Sequence, residues 1–454
     1  MTSESRIVAL ARGILEHTSA VDVYLHKNGL PRHTENGDPD NKPPWGPIPD
    51  AAAAESRQQV MDACEELRGL LGGPVLPLII DWTRPAILRV VIQLRLAELV
   101  PLHPLGSAAG TPFSTIAAMT RPEISESCFR RIIRHATAHG IFCEPSEGLV
   151  AHNTTSMLLI REPLLKDLVT YGMFDMLPAG MRLADALQRF PDGHDPKDTG
   201  FALANLEREL MSLDAATKNT NIPSALSQRK SLWHVHSQEP EMARRFHNVM
   251  TQEFISENVY LEDFSGQLNI EGKKIVDVGG GRGSLAVQAA SKIPTTMFVI
   301  QDSEQNAREG QNSLPADLQE RVKFMAHDFF SPQPVKDADI YFFRWILHDW
   351  SDVHAVEIIQ SLIPAMRPGV RVILNELVIP RPGAVSDKVF KSLINYDLAM
   401  MALFNGQERS LLEWQELFQK ADRRFRFVAC RTKSPKDLSI IEFEWDSRLH
   451  ATIQ

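Results

Sequence analysis

Cysteine is scarce in this chain, and its placement excludes several classes of protein. The 454 residues contain four cysteines, and no two of them form a CxxC pair: Cys64, Cys128, Cys143 and Cys430. Scattered single cysteines do not supply the disulfide framework of a secreted domain or the paired ligands of a structural zinc site. We therefore expect a cytoplasmic protein that holds no metal.

Long apolar runs and an excess of positive charge are also missing. The apolar run Pro74–Ile80 is far shorter than the roughly 20 residues of a membrane-spanning helix. Residues 1–20 carry charges among their apolar positions, which is unlike a secretory signal. Lys and Arg total 48 against 57 Asp and Glu, and the formal net charge of −9 argues against binding to a phosphate backbone. We predict neither a membrane nor a nucleic-acid partner.

The apolar content is sufficient for more than one folded unit. At 43% hydrophobic residues over 454 positions, the chain is predicted to form two or three domains. Residues 1–50 are predicted as a helix and a Pro-rich connection, residues 51–225 as a mostly helical domain, and residues 226–454 as a domain in which strands and helices alternate. We therefore predict the α/β class with a helical domain in front of it.

Part of the helical domain has the outline of a winged-helix module. Two short helices are predicted at Phe113–Thr120 and Ser125–His139. Two extended pieces, Ile141–Glu144 and Leu149–His152, follow around a Ser-Glu-Gly turn. Helix, turn, helix and hairpin in this order are typical of that module.

The last domain reads as a parallel sheet covered on both faces. Its predicted strands are short and rich in β-branched or aromatic residues, and helices such as Ser284–Lys292 and His354–Met366 separate them. The predicted strands are Lys274–Val278, Met297–Ile300, Val322–Met325, Ala338–Phe343 and Val370–Leu374.

The loop after the first of these strands predicts a nucleoside site. Gly279, Gly281 and Gly283 have GxGxG spacing, and position 284, where a dinucleotide fingerprint has its third glycine, is Ser. This spacing favours S-adenosylmethionine over NAD. Asp302 ends the next strand, 23 positions after Gly279, which is close to the spacing of a carboxylate that accepts bonds from ribose hydroxyls. A simple tight turn is the alternative explanation of the glycines.

One strand later, Asp328 and Phe329 could bind a base. The carboxylate can accept from an exocyclic adenine amine, and the ring can cover a flat heterocycle. The alternative is an Asp that caps a helix beside a core Phe.

Three further residues suggest acid–base chemistry. His348 follows the fourth strand, at the edge where open α/β sheets bind ligands, and an imidazole can deprotonate a hydroxyl that attacks a sulfonium methyl. Glu376 and Glu408 could orient and charge-balance that imidazole. A structural buried His and two surface glutamates are the alternatives, and Asp349 is expected to cap the following helix.

These segments together resemble a known family. VDVGGGRGS, VIQD, HDFF, FFRWILHDWSD, LNEL and NGQERS occur in the order found in S-adenosylmethionine-dependent O-methyltransferases of the plant caffeic-acid and flavonoid type, in the branch that fungi use on secondary metabolites. The resemblance spans about residues 82–427. It implies a winged-helix dimerisation domain ahead of a class I (Rossmann-like) methyltransferase domain. It also implies a homodimer whose partner subunit helps to line the acceptor pocket.

The resemblance also implies roles for individual residues. Gly279 and Gly280 correspond to the loop around the methionine moiety, and Arg344 stands where plant members usually have Lys beside the cofactor. The family's ribose, adenine and catalytic positions fall on the residues already singled out: Asp302, Asp328, Phe329, His348, Glu376 and Glu408. A small aromatic acceptor is expected to contact a further set, which could equally be core residues: Trp233, Phe246, Met250, Met400, Met401 and Phe404.

Three other functions stay open. Some fungal proteins that resemble this family promote pericyclisation or dehydration without methyl transfer, and transfer to N or S instead of O is not separated by sequence. A DNA-binding regulator is the third possibility, since the second helix of the winged-helix outline carries a basic cluster: Arg130, Arg131, Arg134, His135 and His139. Apolar residues interleave with this cluster in an acidic chain, so a solvated helix face explains it more simply.

Overall fold

The computed structural model describes residues 5–30, 48, 50–102, 109–212, 226–250 and 268–449. The chain divides into two compact units, Met1–Phe174 and Asp175–Gln454. The division falls within the stretch predicted as one helical domain, and the three-part division of the sequence analysis stays a prediction. The Pro-rich connection lies outside the described residues except for Ile48 and Asp50.

The first unit begins with two long helices that pack on each other. They span Arg6–Lys27 and Ala51–Gly72, and Arg6 donates two hydrogen bonds of 2.7 and 2.6 Å to the Glu66 carboxylate. The side chain of Asp50 caps the second helix by accepting from Ala53 N at 2.8 Å. The helix predicted at the N-terminus is therefore present. No helix in the described part of the chain is both long and apolar enough to cross a bilayer.

The rest of the first unit is a small helical domain with a short β element. Strand β1 (Thr111–Pro112) pairs antiparallel with β2 (Leu149–Val150), and a further antiparallel bridge joins Cys143 to Ala151. The predicted hairpin is thus reduced to this bridge, because β2 takes β1 as its partner. The helices are Thr83–Gln93, Leu96–Leu99, Phe113–Met119, Glu126–Ala138, Thr154–Arg161 and Pro163–Tyr171.

The basic cluster on the helix Glu126–Ala138 is engaged within this unit. Arg130 pairs with Glu126 one turn earlier, and Arg134 donates to Glu144 at 3.0 and 2.9 Å. Phe129 and Ile133, the residues before these two arginines, are almost fully buried. This face is therefore a solvated helix surface that carries ion pairs.

The second unit opens with helices and continues as an α/β sheet. Its described helices before the sheet are Leu177–Met181, Leu183–Arg189, Gly200–Ser212, Leu232–Gln238 and Pro240–Met250. Among the described residues the sheet has seven strands in the order β5-β4-β3-β6-β7-β9-β8. The strands are β3 (Lys274–Val278), β4 (Met297–Asp302), β5 (Val322–Ala326), β6 (Ile340–Arg344), β7 (Arg371–Glu376), β8 (Phe425–Arg431) and β9 (Ser439–Trp445).

Strand direction gathers the loops that follow β3 to β7 at one edge. These five strands are parallel, whereas β9 runs antiparallel to both β7 and β8. The chain order reverses between β3 and β6, and such a reversal opens a crevice at the carboxyl ends of the strands. The predicted parallel sheet is confirmed, with an antiparallel pair added at one side.

Both faces of the sheet are covered, which explains the near-continuous apolar strands. Val276 and Tyr341 face one buried cluster, and their neighbours Ile275 and Phe342 face the other. Successive side chains of a strand point to opposite faces, so each strand supplies both clusters. The helices that follow the strands are Ser284–Lys292, Glu304–Ser313, Asp352–Ser361, Asp387–Phe404 and Leu411–Ala421.

Candidate active site

The glycine loop lies tightly against the ends of β3 and β4. Gly279 N and Gly280 N donate to the Gln301 carbonyl at 2.8 and 3.1 Å. Gly279 has a φ of +72°, and a Cβ there would collide with Ile346, so only glycine fits. At Gly281, by contrast, a Cβ would meet nothing within 4 Å. The loop therefore packs on one side and leaves its backbone approachable on the other.

Asp302 lies beside this loop at the end of β4. Its Oδ2 accepts from Gly281 N at 2.8 Å, and its Oδ1 accepts from Asn306 Nδ2 at 2.7 Å. The backbone of the next strand end is close as well, because His327 N donates to the Asp302 carbonyl at 3.0 Å. The structure brings the predicted loop and the predicted ribose carboxylate together.

Asp328 and Phe329 follow β5 at the same edge. Asp328 is exposed, and its Oδ1 accepts from Phe330 N at 3.0 Å in a local turn. Phe329 is half-buried, and its ring lies 5.9 Å from the ring of Trp350 in an edge-to-face contact. Asp328 thus stabilises a turn and caps no helix, and it stays open to a ligand.

Arg344 ends β6 as a largely buried cation. Its guanidinium lies 4.8 Å above the Trp345 ring, and its Nε and Nη2 atoms form no hydrogen bond within the described residues. Burial lowers the pKa of Arg344 to about 10, although nearby Asp277 and Glu376 oppose this. Burial also raises the pKa of Asp277 to about 7, with the Arg344 charge opposing. Arg344 therefore keeps buried donors with no acceptor.

Backbone geometry places His348 directly after β6. Trp345 adopts a left-handed φ of +52°, which turns the chain out of the strand into the 3-10 turn Leu347–Asp349. Glu376, at the end of the neighbouring strand β7, accepts from Ile346 N and Leu347 N at 3.0 Å each through its Oε1. Glu376 therefore fixes the turn that carries the histidine.

The loop that carries Glu408 packs on the same turn. Gln407 N donates to the His348 carbonyl at 2.9 Å, and a Cβ at Gly406 would collide with that carbonyl. The buried guanidinium of Arg409 donates to the Leu347 carbonyl at 3.0 Å. Glycine and arginine on either side of Glu408 thus hold its loop against the histidine.

Three carboxyl groups surround the imidazole. His348 Nδ1 lies 2.7 Å from Glu408 Oε1, a distance at which Nδ1–H donates to the carboxylate. Glu376 Oε2 lies 3.9 Å from the same nitrogen, and Asp349 Oδ1 lies 3.4 Å from Nε2. All four side chains are buried. The predicted set of His348, Glu376 and Glu408 is therefore one constellation in space.

These charges determine the protonation of the site. Burial lowers the pKa of His348, but the negative charges of Glu408, Glu376 and Asp349 outweigh it and raise the pKa to about 10. Burial raises the pKa of Glu376 and that of Asp349 to about 7, partly offset by the His348 charge. The site stabilises an imidazolium strongly, and each of these two carboxyl groups is easier to protonate than a free one.

The six predicted acceptor residues fall into two groups. Trp233 stacks on Phe404 with ring centroids 5.2 Å apart, and Phe246 contacts the Trp233 ring edge-to-face at 5.6 Å. Met250 is half-buried at the end of its helix. Met400 is half-buried four residues before Phe404, and Met401 is 38% exposed. Ring contacts therefore join three of the six residues.

Three polar residues of this region have roles that sequence reasoning missed. Asp349 does not cap the following helix, whose N-cap is Ser351, and its carboxylate approaches His348 instead. Arg409 is fully buried, and its position next to Glu408 was the available signal. His236 lies among the acceptor rings, 5.0 Å from Phe246, with no sequence signal of its own.

The sheet order and the glycine loop define a class I, Rossmann-like methyltransferase fold, and comparisons with known proteins agree. Residues 215–424 match the family model of an O-methyltransferase domain. O-methyltransferase AMT9 of Alternaria alternata is 42% identical over 98% of this chain and 99% of its own length. Chlorophenol O-methyltransferase of Trichoderma longibrachiatum is 30% identical over 98% of this chain and 91% of its own.

Solved structures establish the same fold at lower identity. OxaC in complex with sinefungin and meleagrin superposes with a TM-score of 0.69 at 20% identity, over 97% of this chain and 99% of its own. A pericyclic reaction enzyme superposes with a TM-score of 0.62 at 24% identity, over 86% of this chain and 94% of its own. LepI in complex with SAM gives 0.63 at 24% identity, with the same shares.

The chain belongs to the S-adenosylmethionine-dependent O-methyltransferase family. This confirms the family, the cofactor and the enzyme class predicted from the sequence. It also confirms the predicted fungal branch, because the similar proteins named above at 42% and 30% identity are fungal O-methyltransferases.

Proposed function

We propose that this enzyme methylates a hydroxyl of a small aromatic secondary metabolite, with His348 as the general base. The observation that carries the proposal is the 2.7 Å contact between His348 Nδ1 and Glu408 Oε1. It commits Nδ1 to a carboxylate, so Nε2, which lies 3.4 Å from Asp349 Oδ1, is the ring atom that would take a proton from an acceptor.

The residues at the strand ends fit S-adenosylmethionine. Gly279 and Gly280 would let the protein backbone approach the cofactor closely, and Asp302 would accept hydrogen bonds from the ribose hydroxyls. Asp328 and Phe329 would bind the adenine. The buried Nε and Nη2 of Arg344 have no acceptor among the described residues and would gain one from a polar or anionic end of the cofactor. When bound, S-adenosylmethionine supplies an electrophilic methyl group.

The charges around His348 suit proton removal from a phenol. The pKa of its imidazolium is raised to about 10, close to the ordinary pKa of about 10 for a phenol such as tyrosine. Proton transfer between groups of matched pKa costs little free energy. Phenol with neutral imidazole and phenolate with imidazolium are one protonation level, and the three carboxyl groups bring the second close to the first in free energy. His348 would thereby take the proton at little cost as the acceptor oxygen attacks the methyl group.

Pericyclisation or dehydration without methyl transfer is the second candidate. The observation that favours it is the fold similarity to a pericyclic reaction enzyme. Hydroxyl methylation, by contrast, needs an oriented imidazole as the base. The Glu408 and Glu376 carboxylates lie 2.7 and 3.9 Å from the His348 ring, which favours methylation. Methyl transfer to a nitrogen or sulfur atom is a third candidate, and the assay described next distinguishes it by the methylated product.

The decisive experiment incubates the enzyme with S-adenosylmethionine and a panel of phenols, including a chlorophenol. We expect one S-adenosylhomocysteine for each O-methylated product. His348→Ala should lower product formation by about 10²- to 10⁴-fold, the usual contribution of a general base, with cofactor affinity unchanged. Consumption of an acceptor without S-adenosylhomocysteine would favour the second candidate. Unchanged product formation by His348→Ala would remove His348 from the mechanism.

Two further predictions concern assembly and location. The family resemblance implies a homodimer, and the cysteine pattern implies the cytoplasm. Sedimentation of the purified full chain at several concentrations tests the first, with a mass of twice 50.9 kDa expected and a mass of 50.9 kDa as the contrary result. Fluorescence microscopy of a tagged chain tests the second, and secretion would contradict it.

A further inference from the structure

Two polar atoms on one helix are buried and have no partner among the residues that the structure describes. Trp233 Nε1 and His236 Nε2 form no hydrogen bond within the described residues, although both atoms are shielded from solvent. The two residues are three positions apart on the helix Leu232–Gln238, so their side chains lie on one face. A buried polar group without a partner is destabilising, and two together in one place point to a missing ligand.

Flat rings surround these two atoms. Trp233 stacks on Phe404 at 5.2 Å with an angle of 27° between the rings. Phe246 lies 5.6 Å from Trp233 and 5.0 Å from His236. Aromatic walls with a few polar atoms are the usual lining of a site for a flat ligand.

The backbone links this cluster to the catalytic turn. Phe404 is the last residue of the helix Asp387–Phe404. Two residues later, Gly406 packs against the His348 carbonyl, and Gln407 N donates to that carbonyl at 2.9 Å. The chain then reaches Glu408. The rings and the proposed base are therefore held by one short segment.

Within the described part of the chain, the cluster offers hydrogen bonds but no unpaired positive charge. Burial, together with the charge of Arg245, lowers the pKa of His236 to about 4, so the imidazole is neutral at physiological pH. The Arg245 guanidinium donates to the buried Asp175 carboxylate at 3.0 Å, which neutralises it. A carboxylate placed here would lose its hydration without gaining a cation. An indole N–H can only donate, so its partner must be an acceptor.

We infer that Trp233 and His236 bind an uncharged oxygen of the acceptor substrate, a carbonyl conjugated to its ring. This inference rests on the proposed function and narrows its substrate class to hydroxylated aryl ketones, with aryl carboxylates excluded. Trp233 Nε1 donates to the carbonyl oxygen, and His236 Nε2 forms a second hydrogen bond at the same end of the substrate. The rings of Phe246 and Phe404 contact the flat ring of the substrate.

The test measures binding to the full enzyme loaded with S-adenosylhomocysteine, by calorimetry. The probes are 4-hydroxyacetophenone, 4-ethylphenol, which lacks the carbonyl oxygen, and 4-hydroxybenzoate. We expect the ketone to bind about fivefold more tightly than 4-ethylphenol, the usual net effect of one hydrogen bond, and the benzoate to bind most weakly. Trp233→Phe and His236→Phe should reduce the difference between ketone and ethylphenol, Trp233→Phe to within twofold.

Phe246→Leu is the matched control, because it changes a wall of the same cluster that has no polar atom. It should weaken the ketone and 4-ethylphenol by similar factors and leave their ratio unchanged. Equal affinities of the wild-type enzyme for these two probes, tightest binding of the benzoate, or a ketone preference that survives in Trp233→Phe would overturn the inference. Turnover of phenols without any preference for the ketone would overturn this inference and leave the proposed function intact. Absence of turnover with every phenol would end the proposed function instead.

Discussion

Replacing Glu408 by Gln removes the negative charge that raises the pKa of the His348 imidazolium most. Glu408 is the largest of the carboxylate influences that raise the pKa of His348, and its Oε1 lies 2.7 Å from Nδ1. A Gln has nearly the same shape and can still accept from Nδ1–H, but it carries no charge. Without that charge the imidazolium is less stable, so the pKa of His348 falls from about 10 towards its ordinary 6.5.

The size of the effect follows from the geometry. A charge-assisted hydrogen bond contributes up to about 3 kcal/mol and a neutral one about 1 kcal/mol, so the variant loses about 2 kcal/mol, or about 30-fold in rate. The upper bound is the Coulomb energy of two charges 2.7 Å apart, about 6 kcal/mol at an effective dielectric constant of 20, or about 10⁴-fold. We expect the chemical step of Glu408→Gln, measured from the form with a neutral imidazole, to slow within this range.

The assay is a single turnover with enzyme loaded with S-adenosylmethionine, across pH 6 to 11, and it compares the limiting rates of the forms with a neutral imidazole. Glu376→Gln is the comparison, because its Oε1 can still accept from the backbone while the lost charge acts from 3.9 Å without a hydrogen bond. Glu408→Gln should therefore be slower than Glu376→Gln, and both should bind the cofactor as the wild type does. A wild-type rate in Glu408→Gln, or a larger loss in Glu376→Gln, would refute this reasoning.

Three smaller predictions follow from the same geometry. Asp302→Asn should weaken S-adenosylmethionine binding about 10- to 100-fold in calorimetry, because charged hydrogen bonds to the ribose contribute about 1.5–3 kcal/mol; unchanged affinity would remove Asp302 from the site. Arg409→Met should lower the free energy of unfolding by at least about 2 kcal/mol in urea, because the Leu347 and Trp350 carbonyls lose the hydrogen bonds that the Arg409 guanidinium donates. The pKa of Asp349 is raised from 3.8 to about 7, so folding favours its protonated form and the wild type loses stability as pH rises through that interval. Asp349→Asn should therefore gain stability relative to the wild type between about pH 4 and pH 7 in urea titrations, and a constant difference would contradict the shift.

The order of local signals made most of the sheet predictable. The strands β3 and β4 begin where the apolar runs begin, and the glycines that follow β3 have the predicted backbone role. Buried parallel strands have continuous apolar sequence, and a glycine loop needs positive φ, so both leave a local signature. The strands β8 and β9 were missed, because their place in the sheet depends on pairing with the distant strand β7.

The proximity of the candidate site residues was predictable from the sequence, but the detail of their geometry was not. His348, Glu376 and Glu408 could be chosen because each follows a strand or lies in a polar loop within an apolar region. The orientation of Asp349 depends on the left-handed Trp345 and the 3-10 turn after it, which sequence does not indicate. His236 joins the acceptor rings only because two helices bring it beside Phe246. Such contacts between distant segments leave no periodic signal.

The most direct test of the central claim is chemical rescue of His348→Ala. The substitution should leave a space beside Glu408 that free imidazole can enter, with Nδ1 again facing the carboxylate. With enzyme loaded with S-adenosylmethionine and a phenol that the wild type methylates, we predict that added imidazole restores part of the single-turnover rate in a saturable manner. It should leave Glu408→Gln unaffected. A His348→Ala enzyme that methylates at the wild-type rate without imidazole would contradict the claim that this side chain takes the proton.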